Sequence, residues 1–265
     1  MIDDVPALST RDLTISFGGQ VAVNSVTCAF RHGTLTAIVG PNGAGKTTYF
    51  NLISGQLRPT KGSVSLFGKD ITGLGAPHRA RLGLGRSFQL TNLYPNLTVF
   101  ENVRLAVQSV AKIRFDVLSI VARNRQLREE ALHCLDRVKL ASRAELPAAA
   151  LAHGDQRKLE VAILLALKPR VFMLDEPTSG MSLDEIPVIL DLIEEIKSET
   201  DKTVLLVEHR MDVIKRLADR IIVLQNGAMI ADGNPAEVVA LPAVQQAYLG
   251  VHGAAELRRE TSGAR

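Results

Sequence analysis

A short segment of the chain combines bare backbone, one cation and two hydroxyls. Residues 40–48 read GPNGAGKTT, after the apolar run LTAIV and at the start of the helical pattern KTTYFNLIS. Glycines let backbone N–H groups turn inward and approach oxyanions closely, and a helix that begins near Lys46 would point its positive end at the same place. We therefore expect this segment to hold the phosphates of a nucleotide.

The segment also fits the phosphate-loop pattern G-x-x-x-x-G-K-[ST]. In that pattern Lys46 is predicted to reach the β- and γ-phosphates, and Thr47 to supply a hydroxyl to Mg²⁺. The alternative is a glycine-rich turn that binds nothing, but every required position is filled and both flanks are correct. The predicted nucleotide contacts are Gly40, Pro41, Asn42, Gly43, Ala44, Gly45, Lys46, Thr47 and Thr48.

Two adjacent acids follow a second apolar run, in VFMLDEP at residues 171–177. A buried strand that ends at Asp175 can place one carboxylate beside the Mg²⁺ of a phosphate loop. Because side chains alternate along a strand, Glu176 is expected to point the other way and to act as general base or to orient the attacking water. A strand that ends in acids is common, but together with the loop it indicates hydrolysis of a nucleoside triphosphate.

Periodicity indicates an α/β chain with a helical insert. Residues 8–39 form β-branched runs separated by turns at Gly18-Gly19 and His32-Gly33, whereas apolar residues recur every three or four positions over 97–145. Strands and helices then alternate after residue 160, which predicts a largely parallel sheet. The last residues, 254–265, are expected to form a flexible tail.

Composition bounds the class of protein. The chain has 265 residues, 46% of them apolar and 22% charged, which is ordinary for a globular protein. A net charge of +3 is too small to indicate a nucleic-acid partner by itself, and an aromatic content of 4% argues against a base-stacking surface, so no nucleic acid is expected. The acidic start, without a secretory signal, and apolar runs far below the about 20 residues of a membrane span favour a cytosolic chain. If the protein works at a membrane, another subunit must supply the span. Cys28 and Cys134 are expected to be reduced thiols.

The order of the motifs resembles the nucleotide-binding subunit of an ABC transporter over about residues 8–250. Phe17 in TISFGG lies where that family stacks an aromatic ring on adenine, and Gln89 in GRSFQL matches its Mg²⁺-sensing glutamine. His209 in LLVEHRMD matches the histidine that contacts the γ-phosphate, and LAHGDQRKLE matches the signature segment that opens a helix. Phe17 alone could be a core residue and His209 a structural histidine, so the case depends on five motifs in the right order.

The resemblance implies a fold and a site. The fold would be a RecA-like phosphate-loop core with a mostly parallel sheet (residues 8–90 and 160–250), an N-terminal antiparallel β subdomain and an inserted helical subdomain (residues 91–159), all within one ATPase domain over residues 1–253. The implied cofactors are ATP and Mg²⁺, with Thr47, Gln89 and Asp175 toward the metal. The implied catalytic residues are Glu176, His209 and Lys46.

The resemblance also implies partners. In the family the signature segment faces the γ-phosphate bound by a second ABC ATPase subunit, so two ATP molecules are held in a head-to-tail dimer, either of two copies or of two related subunits. The dimer drives transmembrane permease subunits at the cytoplasmic face of the inner membrane and depends indirectly on a periplasmic binding protein. Signature residues expected to contact the partner's ATP are Leu151, Ala152, His153, Gly154 and Asp155.

The transported substrate is implied more narrowly. LAHGDQRKLEVA, DEPTSGMSLDE and the ending ADGNPAEV…AYLG are similar to ATPase subunits of bacterial branched-chain amino acid importers. Importers of urea or short amides share nearly the same motifs and stay open as an alternative, and lipopolysaccharide-export ATPases lack the long helical insert. A soluble ABC ATPase acting on ribosomes or DNA would join two cassettes or carry long coiled coils, and a phosphate-loop kinase would need a substrate lid.

The signature departs from the family pattern Leu-Ser-Gly-Gly-Gln. Ala152 lacks the serine hydroxyl that would bond the γ-phosphate, a loss of about 1–3 kcal/mol if that partner goes unmet. Asp155 is expected to add negative charge near phosphate, Gln156 comes one place later, and Ser182 stands where many members have aspartate. We predict that the site built with this signature is weaker than its companion.

Overall fold

The computed structural model describes residues 5–87, 93–111 and 120–249. The chain divides into two compact units, one made of Met1–Arg79 with Thr203–Arg265 and the other of Ala80–Lys202. The strands are β1 (Leu8–Phe17), β2 (Gln20–Phe30), β3 (Leu35–Val39), β4 (Lys61–Leu66), β5 (Lys69–Asp70), β6 (Leu84–Arg86), β7 (Val171–Asp175), β8 (Thr203–Val207), β9 (Arg220–Gln225) and β10 (Ala228–Gly233). The α-helices are α1 (Lys46–Ser54), α2 (Ala76–Arg81), α3 (Val99–Val110), α4 (Ile120–Arg137), α5 (His153–Ala166), α6 (Ile186–Ser198), α7 (Met211–Leu217), α8 (Pro235–Val239) and α9 (Pro242–Leu249).

The first unit contains an antiparallel sheet of strand order β2-β1-β4-β5. Phe17 pairs with Gln20, so Gly18 and Gly19 alone close the β1–β2 hairpin. Both glycines have positive φ, 53° and 88°, which is what a two-residue hairpin turn of matching twist demands. The turn that the Gly-Gly pair predicts is therefore confirmed.

The first unit also contains a mostly parallel sheet, in which the strands run in the order β10-β9-β3-β8. β3 pairs in parallel with both β8 and β9, and β10 joins the edge antiparallel to β9. Every residue of β3 and β8 is buried, as expected for strands that are covered on both faces. A buried cluster joins this sheet to α7, α8 and α9, and its members are Ala37, Val39, Ile214, Ile221, Val223, Val238 and Val244.

The second unit joins a parallel β6–β7 pair to a group of helices in which α3, α4 and α5 pack together. Thr98 caps α3, because its hydroxyl accepts the N–H of Glu101 at 3.1 Å. α4 ends at Arg137, earlier than the apolar pattern over residues 121–141 predicts. The reason is Lys139, which takes a left-handed φ of 60° and lets the N–H of Leu140 bond back to Leu135 at 2.8 Å.

The α/β class, the mostly parallel sheet and the N-terminal antiparallel sheet are confirmed. α3 and α4 lie within the predicted helical subdomain of residues 91–159, whose boundaries, like those of the single domain over 1–253, stay predictions. Gln89 and the predicted tail at 254–265 lie outside the described residues. Among the helices of the described part, none combines the length and the apolar character of a membrane span.

Candidate nucleotide-binding site

The phosphate-loop segment of the first unit connects β3 to α1. Gly45 has φ 97°, and a Cβ added there would lie 2.5 Å from the carbonyl oxygen of Ala22. Gly40 has φ 149°, and its Cβ would overlap the backbone of Leu224, whereas Gly43 has φ 79° and faces open space. Two glycines therefore let the loop pack on neighbouring backbone, and the third leaves one face of the loop open to a ligand.

The Lys46 side chain lies over this loop. Its Nζ donates to the carbonyl oxygens of Gly40 at 2.7 Å and Pro41 at 3.0 Å, and the residue is buried. Thr47 and Thr48 follow in the first turn of α1 and are half-buried, while Asn42 is exposed and Ala44 buried. The structure thus brings the predicted loop residues into one arrangement, with an ammonium group beside the start of a helix.

The electrostatics of α1 suit an anion at its N-terminus. Its first turn carries no acidic residue, so no carboxylate of that turn offsets the positive end of the helix. At the other end the buried Arg79 guanidinium donates to the carbonyls of Leu52 at 2.8 Å and Ile53 at 2.6 Å. It donates further to Leu74 at 2.8 Å and Thr72 at 3.0 Å. Burial lowers the pKa of Arg79 to about 10, so it stays charged at neutral pH.

Phe17 ends β1 and is 49% exposed. A core residue would be covered, so the alternative reading of Phe17 as core is wrong. An exposed ring at a hairpin offers an apolar face to a planar ligand. Adenine stacking at Phe17 stays a prediction that this exposure supports.

His209 follows β8 and is exposed. The preceding Glu208 is only 3% exposed, and its Oε2 accepts the N–H of His209 at 2.8 Å and that of Arg210 at 3.3 Å. Glu208 therefore fixes the backbone from which the histidine projects. The sequence motif predicts His209 but not Glu208, whose available signal is an acid that directly follows an apolar strand.

Asp175 lies in the second unit, at the end of β7, with its side chain fully buried. Arg86 lies next to it, because β6 and β7 pair in parallel, and Nη2 of Arg86 is 3.0 Å from Oδ2 of Asp175. Burial lowers the pKa of Arg86, and the Asp175 carboxylate opposes that shift. No local sequence pattern indicates this ion pair, because its two residues are 89 positions apart in the chain. Ser87, which follows Arg86, accepts the N–H of Asp175 through its hydroxyl at 3.2 Å.

Glu176 requires a correction to the argument from strand alternation. β7 ends at Asp175, and Glu176 has a left-handed φ of 49°. Its direction is therefore set by that turn and not by the pleat of a strand. A non-glycine residue in this region costs about 1–3 kcal/mol, and such residues cluster at functional sites. The role of Glu176 as general base stays a prediction.

The signature segment opens α5, as expected, but its details differ. Ala152 is the N-cap and supplies no side-chain bond, and Gly154 lies inside the first turn and not before the helix. Leu151 is buried and His153 exposed. Asp155 is buried and paired with Lys158 at 3.0 Å and with Arg143. Two cations of the same unit thus compensate the Asp155 charge, and its effect near a phosphate stays a prediction.

The oxygen donors suit Mg²⁺. A threonine hydroxyl and a carboxylate are the hard ligands that this ion takes, usually with phosphate oxygens and water completing the shell. Within the described residues no cluster of three or more His, Cys, Asp or Glu side chains forms a metal site by itself. Thr47 in the first unit and Asp175 in the second each carry a donor group of this kind, and their role as Mg²⁺ ligands stays a prediction.

Comparisons with known proteins place the chain in a family. The family model for "ABC transporter" matches residues 23–179, and the model for "Branched-chain amino acid ATP-binding cassette transporter" matches residues 228–254. The chain is 38% identical to the high-affinity branched-chain amino acid transport ATP-binding protein BraF of Pseudomonas aeruginosa over 250 residues, covering 92% of this chain and 98% of BraF. Identity to LivG of Escherichia coli (strain K12), described in the same words, is 37% over 250 residues, with 92% of this chain and 98% of LivG covered.

Solved structures of ABC transporter cassettes have the same fold as this chain. The ADP conformation of an ATP-binding cassette of an ABC transporter matches with a TM-score of 0.78 and 28% identity, over 92% of this chain and 98% of that one. A dimeric bacterial ABC transporter cassette matches with a TM-score of 0.76 and 26% identity, over 86% and 98% of the two chains. The chain therefore belongs to the ABC transporter family as one of its nucleotide-binding ATPase cassettes.

Proposed function

We propose that this chain binds ATP with Mg²⁺ and hydrolyses it to power the uptake of branched-chain amino acids. The observation that carries the ATPase part is the glycine loop with Lys46 held over it at the N-terminus of α1. The substrate is supported by the C-terminal match at residues 228–254 and by the relatives described as branched-chain amino acid transport proteins.

The residues of the first unit would bind and orient the triphosphate. Lys46 now donates to two loop carbonyls, and the β- and γ-phosphates would compete for the same ammonium group. The loop N–H groups and the start of α1 add fixed dipoles, and the exposed Phe17 ring would stack on adenine. His209, on a backbone fixed by Glu208, would contact the γ-phosphate.

The residues of the second unit would supply the remaining chemistry. Thr47 of the first unit, Asp175 and Gln89 would hold Mg²⁺, which neutralises charge on the phosphate oxygens when bound. Glu176 would orient the attacking water and accept its proton. The signature residues Leu151–Asp155 would contact the ATP of a second ABC ATPase subunit, as in a head-to-tail dimer.

The proposed setting is a transporter complex. The ATPase pair would lie at the cytoplasmic face of the inner membrane, beneath transmembrane permeases that a periplasmic binding protein supplies with substrate. No nucleic acid takes part. Whether urea or a short amide replaces the branched-chain amino acid is decided by the substrate experiment below.

The first test separates binding from hydrolysis. Lys46→Ala should weaken ATP binding at least tenfold, because a buried cation leaves the phosphate site, as measured with a fluorescent ATP analogue. Glu176→Gln should keep that affinity and lower kcat by a factor on the order of 100 or more. Lys69→Ala, at an exposed strand end, is the control. Hydrolysis by Glu176→Gln at the wild-type rate would refute the assignment of the base.

The second test identifies the substrate. Affinity purification of the tagged chain from native membranes should recover two permeases and a binding protein. The binding protein is then titrated with leucine, isoleucine, valine, urea and acetamide, and the loaded forms are added to the reconstituted complex. Stimulation of ATPase activity by the three amino acids would support the proposed substrate. Stimulation by urea or acetamide alone would refute it and would identify an importer of urea or short amides instead.

A further inference from the structure

A polar network joins the first turn of α5 to the turn that follows β7. The Nζ of Lys158 lies 3.0 Å from Oδ1 of Asp155 and 3.0 Å from Oε1 of Glu185. The other Glu185 oxygen accepts the backbone N–H of Ser182 at 3.1 Å and its hydroxyl at 2.9 Å. One lysine, only 8% exposed, thus connects the signature segment with the turn over residues 176–185.

Two glycines bring the same segments into direct contact. A Cβ on Gly154 would lie 2.8 Å from the carboxyl carbon of Glu185, and one on Gly180 would lie 2.8 Å from Cε1 of His153. Real Cβ atoms essentially never come within 3.0 Å of another atom, so both positions exclude a side chain unless a neighbour moves. The turn contacts the start of α5 at two separate points.

The charges of the network balance. Hydrogen bonds from Ser182 and then from Lys158 hold the pKa of Glu185 below its usual value, so the carboxylate is ionised at neutral pH. Asp155 has a second cation in Arg143. Lys158 would therefore keep one carboxylate partner if Glu185 lost its charge, which makes neutralisation of Glu185 a mild change for the fold.

We propose that Lys158 and Glu185 are positioning residues that hold the signature segment against the turn behind Glu176, so that the two segments act as one piece during ATP hydrolysis. This inference rests on the hydrolysis assigned under the proposed function. Lys158 and Glu185 lie outside the predicted nucleotide contacts. They would link the signature segment, which is proposed to face the partner subunit, to the segment that carries the proposed catalytic base.

The test uses Glu185→Gln, because glutamine keeps the size and an oxygen acceptor for Ser182 but loses the ionic bond to Lys158. Hydrogen exchange on the full chain should speed up about tenfold in both 153–160 and 179–185. In the complex from native membranes kcat should fall about tenfold. KM and the affinity for the fluorescent ATP analogue should stay unchanged, because the predicted phosphate contacts of residues 40–48 are untouched.

Two further variants sharpen the result. Asp184→Asn removes a charge from the exposed neighbour of Glu185 and should change none of these quantities. Gly154→Ala places a methyl group where the Glu185 carboxylate lies and should speed up exchange in the same two segments by a different route. Because Gly154 is itself a predicted contact of the partner's ATP, only the exchange data of this variant enter the comparison. Agreement of two chemically unrelated changes would support the link between the segments.

The inference is overturned if Glu185→Gln leaves exchange and kcat at wild-type values. It is also overturned if nucleotide affinity falls as much as kcat, since that indicates a general loss of structure. A wild-type complex that binds ATP without hydrolysing it would refute the proposed function. The exchange data would in that case still decide whether the two segments are physically linked.

Discussion

Single residues in unusual backbone conformations mark the candidate site. Gly40, Gly43 and Gly45 in the loop and Glu176 after β7 all have positive φ. Each fixes the direction of a group that the proposed chemistry needs: inward-facing amides in the loop, and a carboxylate that leaves the strand. Ala152 differs, because its backbone is an ordinary N-cap and only the missing hydroxyl sets it apart.

The first residue-scale prediction concerns Ala152. A serine there should cap α5 and raise the free energy of unfolding by about 1 kcal/mol. It should also raise ATPase turnover of the assembled complex, because the hydroxyl restores a bond to the γ-phosphate. Ala152→Gly is the matched control, since glycine gives most of the capping gain without a hydroxyl. Unchanged or lower turnover of Ala152→Ser would contradict the weak-site prediction.

The second residue-scale prediction concerns the glycines of the phosphate loop. Gly40→Ala should lower the free energy of unfolding by about 3 kcal/mol, because its Cβ would overlap the Leu224 backbone. Gly43→Ala should cost only about 1 kcal/mol, since it has a strained φ but open space around it. Urea denaturation of both variants measures the difference. Equal losses would show that the loop is not packed as described.

At the scale of elements, α1 is the helix on which the phosphate site depends. Its N-terminus carries Lys46 and its C-terminus is closed by Arg79, which lies with all four acceptor carbonyls in the same unit. The helix is short, and short helices depend on their surroundings for stability. An arginine at its negative end stabilises it without placing a charge near the phosphates.

The element-scale prediction follows from Arg79. Arg79→Met should lower the free energy of unfolding by about 3 kcal/mol or more, because buried carbonyls lose their donor. Arg81→Met, at an exposed position of the same helix α2, should change it by less than about 0.5 kcal/mol. Chemical denaturation measures both. A loss for Arg79→Met no larger than that for Arg81→Met would show that the cap contributes nothing.

At the scale of the whole molecule, each compact unit contains one buried free thiol. Cys28 lies on β2 in the first unit and Cys134 on α4 in the second. Burial raises the pKa of Cys28 to about 12 and also raises that of Cys134. Because the thiolate is the reactive form, both should be inert in the native chain.

The thiols therefore report on the opening of each unit. With MgATP at about 100 times its Kd, the free energy of unfolding of the unit that contains Cys28 should rise by about 2.7 kcal/mol. Alkylation of Cys28 should therefore need a higher urea concentration. Mass spectrometry after brief alkylation measures each thiol separately. Lys46→Ala should abolish the shift. Rapid labelling of Cys28 in the native chain would contradict the burial of this thiol, and the absence of a shift with MgATP would contradict the placement of the nucleotide site in this unit.

The sequence by itself determined the local pieces of this protein. The loop, the glycine hairpin, the apolar strands and the signature helix follow from residue types at fixed short spacings, because the physics of turns, helix ends and strand burial is local. The motif order was enough to predict the family and the α/β class, which the comparisons confirm.

Only the tertiary structure decided which distant charges meet. Arg86 with Asp175, Arg79 with the end of α1, and Lys158 with Glu185 pair across long stretches of sequence. No periodicity encodes such pairs, because they arise when separate elements pack and bury polar groups that must then find partners. The same packing pairs Asp155 with two cations, Lys158 and Arg143, which its position in the signature could not reveal.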